Sequence, residues 1–164
     1  DLPRQAAQGM ILAENARLRL RTMRRGDLEE LYALLSDAEV MRWLEPPFTR
    51  EQTERFLEQA GFSEPPLIYA AENAAGEFLG YAIYHDYDER SRELGWVLKR
   101  SAWHKGYAGE MTDLLTALAQ REGKDAVIEC VSEQTVSAHI ARRYGFSYEG
   151  SANGLDIYRR HATE

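Results

Sequence analysis

A single cysteine, Cys130, is all the thiol chemistry this chain has. It excludes an internal disulfide and suits a reducing cytoplasm, and in the middle of an apolar strand it reads as a buried, inert thiol. No apolar run approaches the roughly 18 residues of a membrane-spanning helix, so no membrane partner is expected. Asp1 to Gly9 lack the basic-then-apolar build of a signal peptide. They are expected to be a flexible extension or an expression remnant ahead of a natural start at Met10. No Gly/Ser linker, internal repeat or low-complexity tract divides the rest of the chain, so residues 10–164 read as one domain. The four histidines, His85, His104, His139 and His161, show no metal-ligand spacing, and no metal is expected. Positive charge is also scarce: 20 Lys and Arg face 27 Asp and Glu, a net charge of −7. That balance argues against nucleic acid, whose phosphates demand a positive field, and is congenial to a cationic acceptor such as an amine. It is equally the ordinary charge of a well-dissolved surface.

What is present is enough apolar residue, 44% of 164, to bury one core. Ala16 to Arg21 alternates apolar and basic residues, as a half-buried strand does. Asp27 with Glu30 resembles a capping box opening a helix whose face carries Leu28, Leu31, Tyr32 and Leu35, and Thr49 with Gln52 opens a second. Leu67–Ala71, Glu77–Tyr84 and Arg92–Leu98 read as three strands of an antiparallel meander, with Asp86 to Ser91 as a charged turn. From Tyr107 the apolar positions Met111, Leu114, Leu115 and Leu118 fall at helical spacing, and Gly123 lies just past the end. Asp125–Val131 reads as a strand buried on both faces at its centre and Thr135–Arg143 as a helix. Phe146–Glu149 and Asp156–Arg159 read as a hairpin around Asn153-Gly154. The order predicts an α+β protein with a mixed, mostly antiparallel sheet of about seven strands flanked by four helices.

The stretch Trp103-His104-Lys105-Gly106-Tyr107-Ala108-Gly109 joins a strand to a helix. Such a junction leaves backbone N–H groups unpaired at the positive end of the helix dipole, where phosphate oxygens fit. Gly106, Ala108 and Gly109 let a ligand come close to the backbone, and His104 and Lys105 can add hydrogen bonds or charge at the rim. A tight strand-to-helix connection would have the same composition. The nucleotide alternatives fail, because neither Gly-x-Gly-x-x-Gly nor a Walker A sequence is present.

The segment resembles the acetyl-CoA-binding loop of the GNAT acetyltransferase superfamily, Gln/Arg-x-x-Gly-x-Gly/Ala, with Gly106 and Ala108 at the last two positions. Trp103 departs from its first position and resembles the Trp-x-Lys-Gly-Tyr-Ala form of the RimJ/RimL-like branch. Leu18-Arg19-Leu20-Arg21 with Gly26-Asp27, Val40 to Leu44, Pro47-Phe48-Thr49, Glu93 to Leu98, Gln134-Thr135-Val136-Ser137 and Tyr144-Gly145-Phe146 resemble further stretches of that branch, in order, from Met10 to Arg160. The resemblance implies a GNAT fold and acetyl-CoA as co-substrate. Val97 and Lys99 would touch it by main chain, His104 to Gly109 would hold its pyrophosphate, and Ser137 would also lie at the cofactor. It implies N-acetylation of a primary amine, either a small molecule or a protein N-terminus, by direct attack in a ternary complex, in a monomer or homodimer. A non-catalytic acyl-CoA-binding module and a transferase of longer acyl groups are the alternatives.

Transfer from a thioester to an amine needs a proton acceptor, a stabilised oxyanion and a protonated leaving thiolate. Glu93, on the strand flanking the implied pantetheine gap, is the candidate base; it reads equally as a strand carboxylate paired with Arg92. Asp86 and Asp88 can attract a cationic acceptor or simply solvate a turn. The tyrosine that many family members use as acid, four residues before the glycine of Gly-Phe, is Ala141 here. Tyr144 is expected to pack, and Ser137 is the remaining proton donor unless it caps its helix. Trp43, Phe48 and Tyr87 can wall the acceptor pocket or pack in the core.

Overall fold

The computed structural model of the chain describes residues 10–163, and the expectation for the nine residues ahead of Met10 lies outside them. Among these residues the strands are β1 (Ile11–Glu14), β2 (Leu18–Thr22), β3 (Ile68–Asn73), β4 (Phe78–Asp88), β5 (Ser91–Leu98), β6 (Asp125–Cys130), β7 (Ser147–Ala152) and β8 (Leu155–Arg160). They form one sheet in the order β1-β2-β3-β4-β5-β6-β8-β7, antiparallel except for the β5–β6 pair. The helices are α1 (Leu28–Leu35), α2 (Ala38–Met41), α3 (Arg50–Phe56), α4 (Tyr107–Arg121) and α5 (Thr135–Arg143). The architecture is the expected α+β mixed sheet, with one strand and one helix more. The additions are β1, a short, partly exposed edge strand without alternation, and the single turn α2, capped by the Asp37 carboxylate accepting the Glu39 amide at 3.0 Å. Both are too short to leave a periodic signature.

The sheet separates two cores. One face packs Leu18, Leu20, Leu94 and Ile128 beneath Met111 and Leu115 of α4 and Ala141 of α5. The other packs Ala70, Tyr81 and Val97 beneath Leu31, Leu34 and Leu35 of α1 and Leu57, just past α3. Along β3, Tyr69 and Ala71 serve the first core and Ile68 and Ala70 the second, the two-residue period of a strand buried on both sides.

Two local expectations are corrected. Asp27 does not cap α1 through Glu30. It lies in a turn of 3₁₀ helix, 5% exposed, where its carboxylate accepts Arg21 Nη1 and Nη2, both at 2.9 Å, and the Arg24 amide at 2.8 Å. Arg21 also donates to Glu72 at 3.0 Å, and a buried charge demands such pairing more strongly than a helix end demands a cap. Asp86 to Asp88 are not turn residues either: β4 continues to Asp88, with an irregularity in register between Asp86 and Asp88, and only Glu89-Arg90 turn the chain. By contrast Thr49 and Gln52 form the expected reciprocal capping box, at 2.8 and 3.1 Å. Asn153 and Gly154 turn the last hairpin, both with positive φ.

Candidate active site

The β5–β6 ladder pairs Ser91 with Asp125, Arg92 with Ala126 and Glu93 with Val127, and then ends. On its other edge β5 stays in register with β4 as far as Leu98. The second half of β5 therefore borders a wedge opening between two parallel strands, and its backbone groups on that side run on without a strand partner. Which groups these are follows from parity. The Asp125 amide donates to Arg90 O at 2.8 Å, so even-numbered β5 residues face β6. The Lys99 amide donates to Leu79 O at 2.9 Å, and Val97 O lies only 2.0 Å from where a Cβ on Gly80 would stand, so odd-numbered residues face β4. Val97 and Lys99, whose main chain is expected to meet a ligand, do not face the gap. Trp96 and Leu98 point there instead, because Val97 and Lys99 are already committed to β4.

The wedge runs out at the loop. Trp103 closes a short 3₁₀ turn, Arg100–Ala102, and its indole N–H donates to Leu98 O at 2.8 Å, tying the head of the loop to the end of β5. His104 takes φ 61° and Gly106 φ 84°, and α4 begins at Tyr107. A left-handed non-glycine residue costs roughly 1–2 kcal/mol, which Gly106 avoids and His104 bears. Two positive-φ residues flanking Lys105 turn the chain sharply into the start of α4. Among the described residues the amides of His104 through Gly109 have no hydrogen-bond acceptor; the first bond of the helix is Glu110 N–H to Gly106 O at 3.1 Å. Gly109 permits a close approach: a Cβ there would stand 2.8 Å from the Tyr144 hydroxyl, so Tyr144 packs across the first turn of α4.

On the α1–α3 side of the sheet, Glu93 lies opposite His85 in the β4–β5 register. Burial pushes the Glu93 carboxyl above its usual range; His85 opposes this and the nearby Glu129 reinforces it. The Tyr87 hydroxyl donates to Glu129 at 2.7 Å, which with burial pushes its own pKa up to about 12. Three strands thus bring His85, Tyr87, Glu93 and Glu129 together. Arg92, the partner considered for Glu93, pairs with Asp86 and Glu122 on the opposite face. Asp86 is spent on that pair, and Asp88 accepts the Arg90 amide at 2.9 Å and is held low by it, so neither is free to receive an acceptor.

Ser137 is 6% exposed and does not cap α5; its hydroxyl has no hydrogen-bond partner among the described residues. Ala141 is fully buried, so no phenol occupies that position. Phe48 packs edge-on against Phe56 with ring centroids 5.9 Å apart, as a core residue does, whereas Trp43 stays partly exposed beneath the Arg42 guanidinium. Burial also raises the Cys130 thiol, leaving it less reactive. No three His, Cys, Asp or Glu among the described residues are placed to hold a metal, and no described helix is long and apolar enough to cross a membrane.

Sequence reasoning missed Glu129, His85 and the residues behind the loop, Asn15, Arg17 and Glu110. Glu129 had a signal: in a strand it shares a face with Val127, two residues earlier. His85 had none until β4 was known to extend past it.

Fold and loop together define a class, an α+β protein with a helix start of unpartnered amides at the mouth of a wedge in its own sheet. The acetyltransferase (GNAT) domain model matches residues 17–147, and the chain belongs to that family. Acetyl-CoA is the family's co-substrate, and the free amides and the open β5 edge fit its phosphate and amide groups. No curated protein matches the sequence. Among solved structures, a GNAT acetyltransferase from Bacillus anthracis superposes with TM-score 0.77 at 24% identity, covering 91% of this chain and 95% of that one. RimL, a ribosomal L7/L12 α-N-protein acetyltransferase in complex with coenzyme A, superposes with TM-score 0.80 at 20% identity, covering 93% and 98%. Spermidine N-acetyltransferase from Vibrio cholerae, in complex with CoA and spermine, superposes with TM-score 0.73 at 19% identity, covering 88% and 94%.

Proposed function

We propose that this protein transfers an acetyl group from acetyl-CoA to a primary amine, on a small molecule or a protein N-terminus, by direct attack within a ternary complex. The observation that carries the reading is the pairing of two arrays across one strand. The unpaired amides of His104 to Gly109 and the gap-facing backbone of Trp96 and Leu98 take the pyrophosphate and pantetheine, with His104 and Lys105 at the rim. Glu93 stands on the same strand, facing the other side of the sheet.

In this reading the amine nitrogen attacks the thioester carbonyl, forming the C–N bond as the C–S bond breaks. Glu93 takes the ammonium proton, directly or through a water, and its raised pKa makes it a better base than an ordinary carboxylate near ~4.3. In this reading a backbone amide on the gap side of β5 steadies the developing oxyanion. Ser137, whose hydroxyl has no hydrogen-bond partner among the described residues, donates to the departing thiolate in place of the phenol that Ala141 lacks. The carboxylates of Glu93 and Glu129 favour a cationic acceptor. An α-amine near ~8 needs less help to deprotonate than a lysine-like amine near ~10.4.

The test is release of free CoA thiol from acetyl-CoA across a panel of polyamines, aminoglycosides and short peptides with free N-termini. Turnover with at least one amine, weakened in Ser137→Ala, is the expected result. Acetyl-CoA binding with no turnover on any class would favour a binding module instead.

A further inference from the structure

The alternation Arg17-Leu18-Arg19-Leu20-Arg21 reads as a strand, but Arg17 stands in the β1–β2 turn and reaches across to the loop before α4. Its Nη2 donates to Lys105 O at 2.8 Å, and its Nη1 donates to Glu110 Oε2 at 2.5 Å. The guanidinium carbon lies 4.6 Å from the centre of the Tyr107 ring. Asn15 completes the clamp. Its side-chain oxygen accepts the Arg17 and Leu18 amides at 2.8 and 2.9 Å, and its Nδ2 donates to Glu110 Oε1 at 3.2 Å.

Lys105 O is a negative dipole end within a run of amides that must receive an anion. A guanidinium presents its donors in a rigid planar fork, so one side chain can hold that carbonyl back and grip the Glu110 carboxylate together. It also neutralises Glu110, a carboxylate one turn from the phosphate position that would otherwise repel the ligand.

We infer that Arg17 is a positioning residue for the diphosphate: held by Asn15, it pulls the Lys105 carbonyl and Glu110 away from the anion so that the amides of His104 to Gly109 converge. This rests on the reading of that loop as the pyrophosphate site. The specificity it confers is for donors that carry a phosphate tail, because the reacting thioester lies at the far end of the pantetheine arm.

The experiment compares acetyl-CoA with S-acetylpantetheine, which has the same thioester and no diphosphate, in wild type, Arg17→Ala, Arg17→Lys and Glu110→Gln. For Arg17→Ala the account expects KM for acetyl-CoA to rise roughly tenfold, a factor set by the loss of a charge-assisted bond, with kcat within about twofold and kcat/KM for S-acetylpantetheine unchanged. Arg17→Lys keeps the charge but cannot hold both partners, so it should recover only part of the loss; full recovery would show simple charge attraction and overturn the positioning role. Equal losses on both donors, or none, would also overturn it. Should Arg17→Ala fail to fold by thermal melting, Arg17→Lys and Glu110→Gln carry the same comparison. A wild-type protein that uses neither donor contradicts the transferase reading itself, whatever the variants do.

Discussion

The two sides of β5 are built from different materials. On the gap side the chain offers backbone: the amides of His104 to Gly109 and the β5 edge at Trp96 and Leu98, which has no strand partner there and whose Leu98 carbonyl the Trp103 indole holds. On the other side it offers side chains, His85, Tyr87, Glu93 and Glu129, drawn from three strands. Backbone amides recognise what every acyl-CoA shares and keep their geometry when a single side chain changes. In the proposed reading, side chains set the acceptor and the proton chemistry. The difference explains how a fold can keep one co-substrate while its acceptor varies.

The sharpest break in that comparison is Glu93→Gln. It should lower kcat by about a hundredfold or more while leaving acetyl-CoA affinity within about twofold, measured by steady-state kinetics beside calorimetry. In the wild type, burial raises the Glu93 pKa, so activity should fall as pH drops through a value above the ordinary carboxylate range, and that limb should vanish in Glu93→Gln. The sign for stability is opposite. With its folded pKa raised, neutral Glu93 favours the fold at low pH and that contribution is lost as pH rises through the folded pKa. Glu93→Gln should therefore melt higher than wild type at neutral pH.

Next in size, Asp27→Ala leaves Arg21 short of its main partner in a site where both are nearly fully buried, and should destabilise the protein by about 3–5 kcal/mol in denaturant unfolding. Wherever the variant remains folded, KM for acetyl-CoA should be unchanged, which separates the stability of β2 from the function of the turn before it. Gly106→Val forces a β-branched residue into the left-handed region and should raise KM for acetyl-CoA roughly tenfold without touching the acid limb. Asp86→Asn should change kcat/KM by less than about twofold, since its carboxylate is committed to Arg92 at the surface. A large effect there would move the acceptor site toward the β4–β5 turn.

The same division explains which features are legible in the sequence. The loop is contiguous and its signals are local: a strand, small residues, then a helical period from Tyr107. The meander, the helix over Thr135–Arg143 and the hairpin at Asn153-Gly154 are legible for the same reason. Parity is not. Whether Val97 or Trp96 faces the gap depends on which edge of β5 each amide serves, and the sequence carries no mark of that. The charged run Asp86-Tyr87-Asp88 looks like a turn by composition, yet it is the end of β4, because Asp86 and Asp88 find arginine partners in Arg92 and Arg159. The three arginines at 17, 19 and 21 look alike in an alternating strand. They prove to be a loop clamp, a surface pair with Glu14 and a buried network with Asp27 and Glu72. Only the positions of partners far along the chain distinguish them.

The most direct measurement of the central claim is amide hydrogen exchange, residue by residue, with and without acetyl-CoA. The account predicts new protection at His104 through Gly109 and at Trp96 and Leu98, with Val97 and Lys99 unaltered because β4 already holds them. Protection at Val97 and Lys99, or none along the loop while acetyl-CoA is bound, would contradict it.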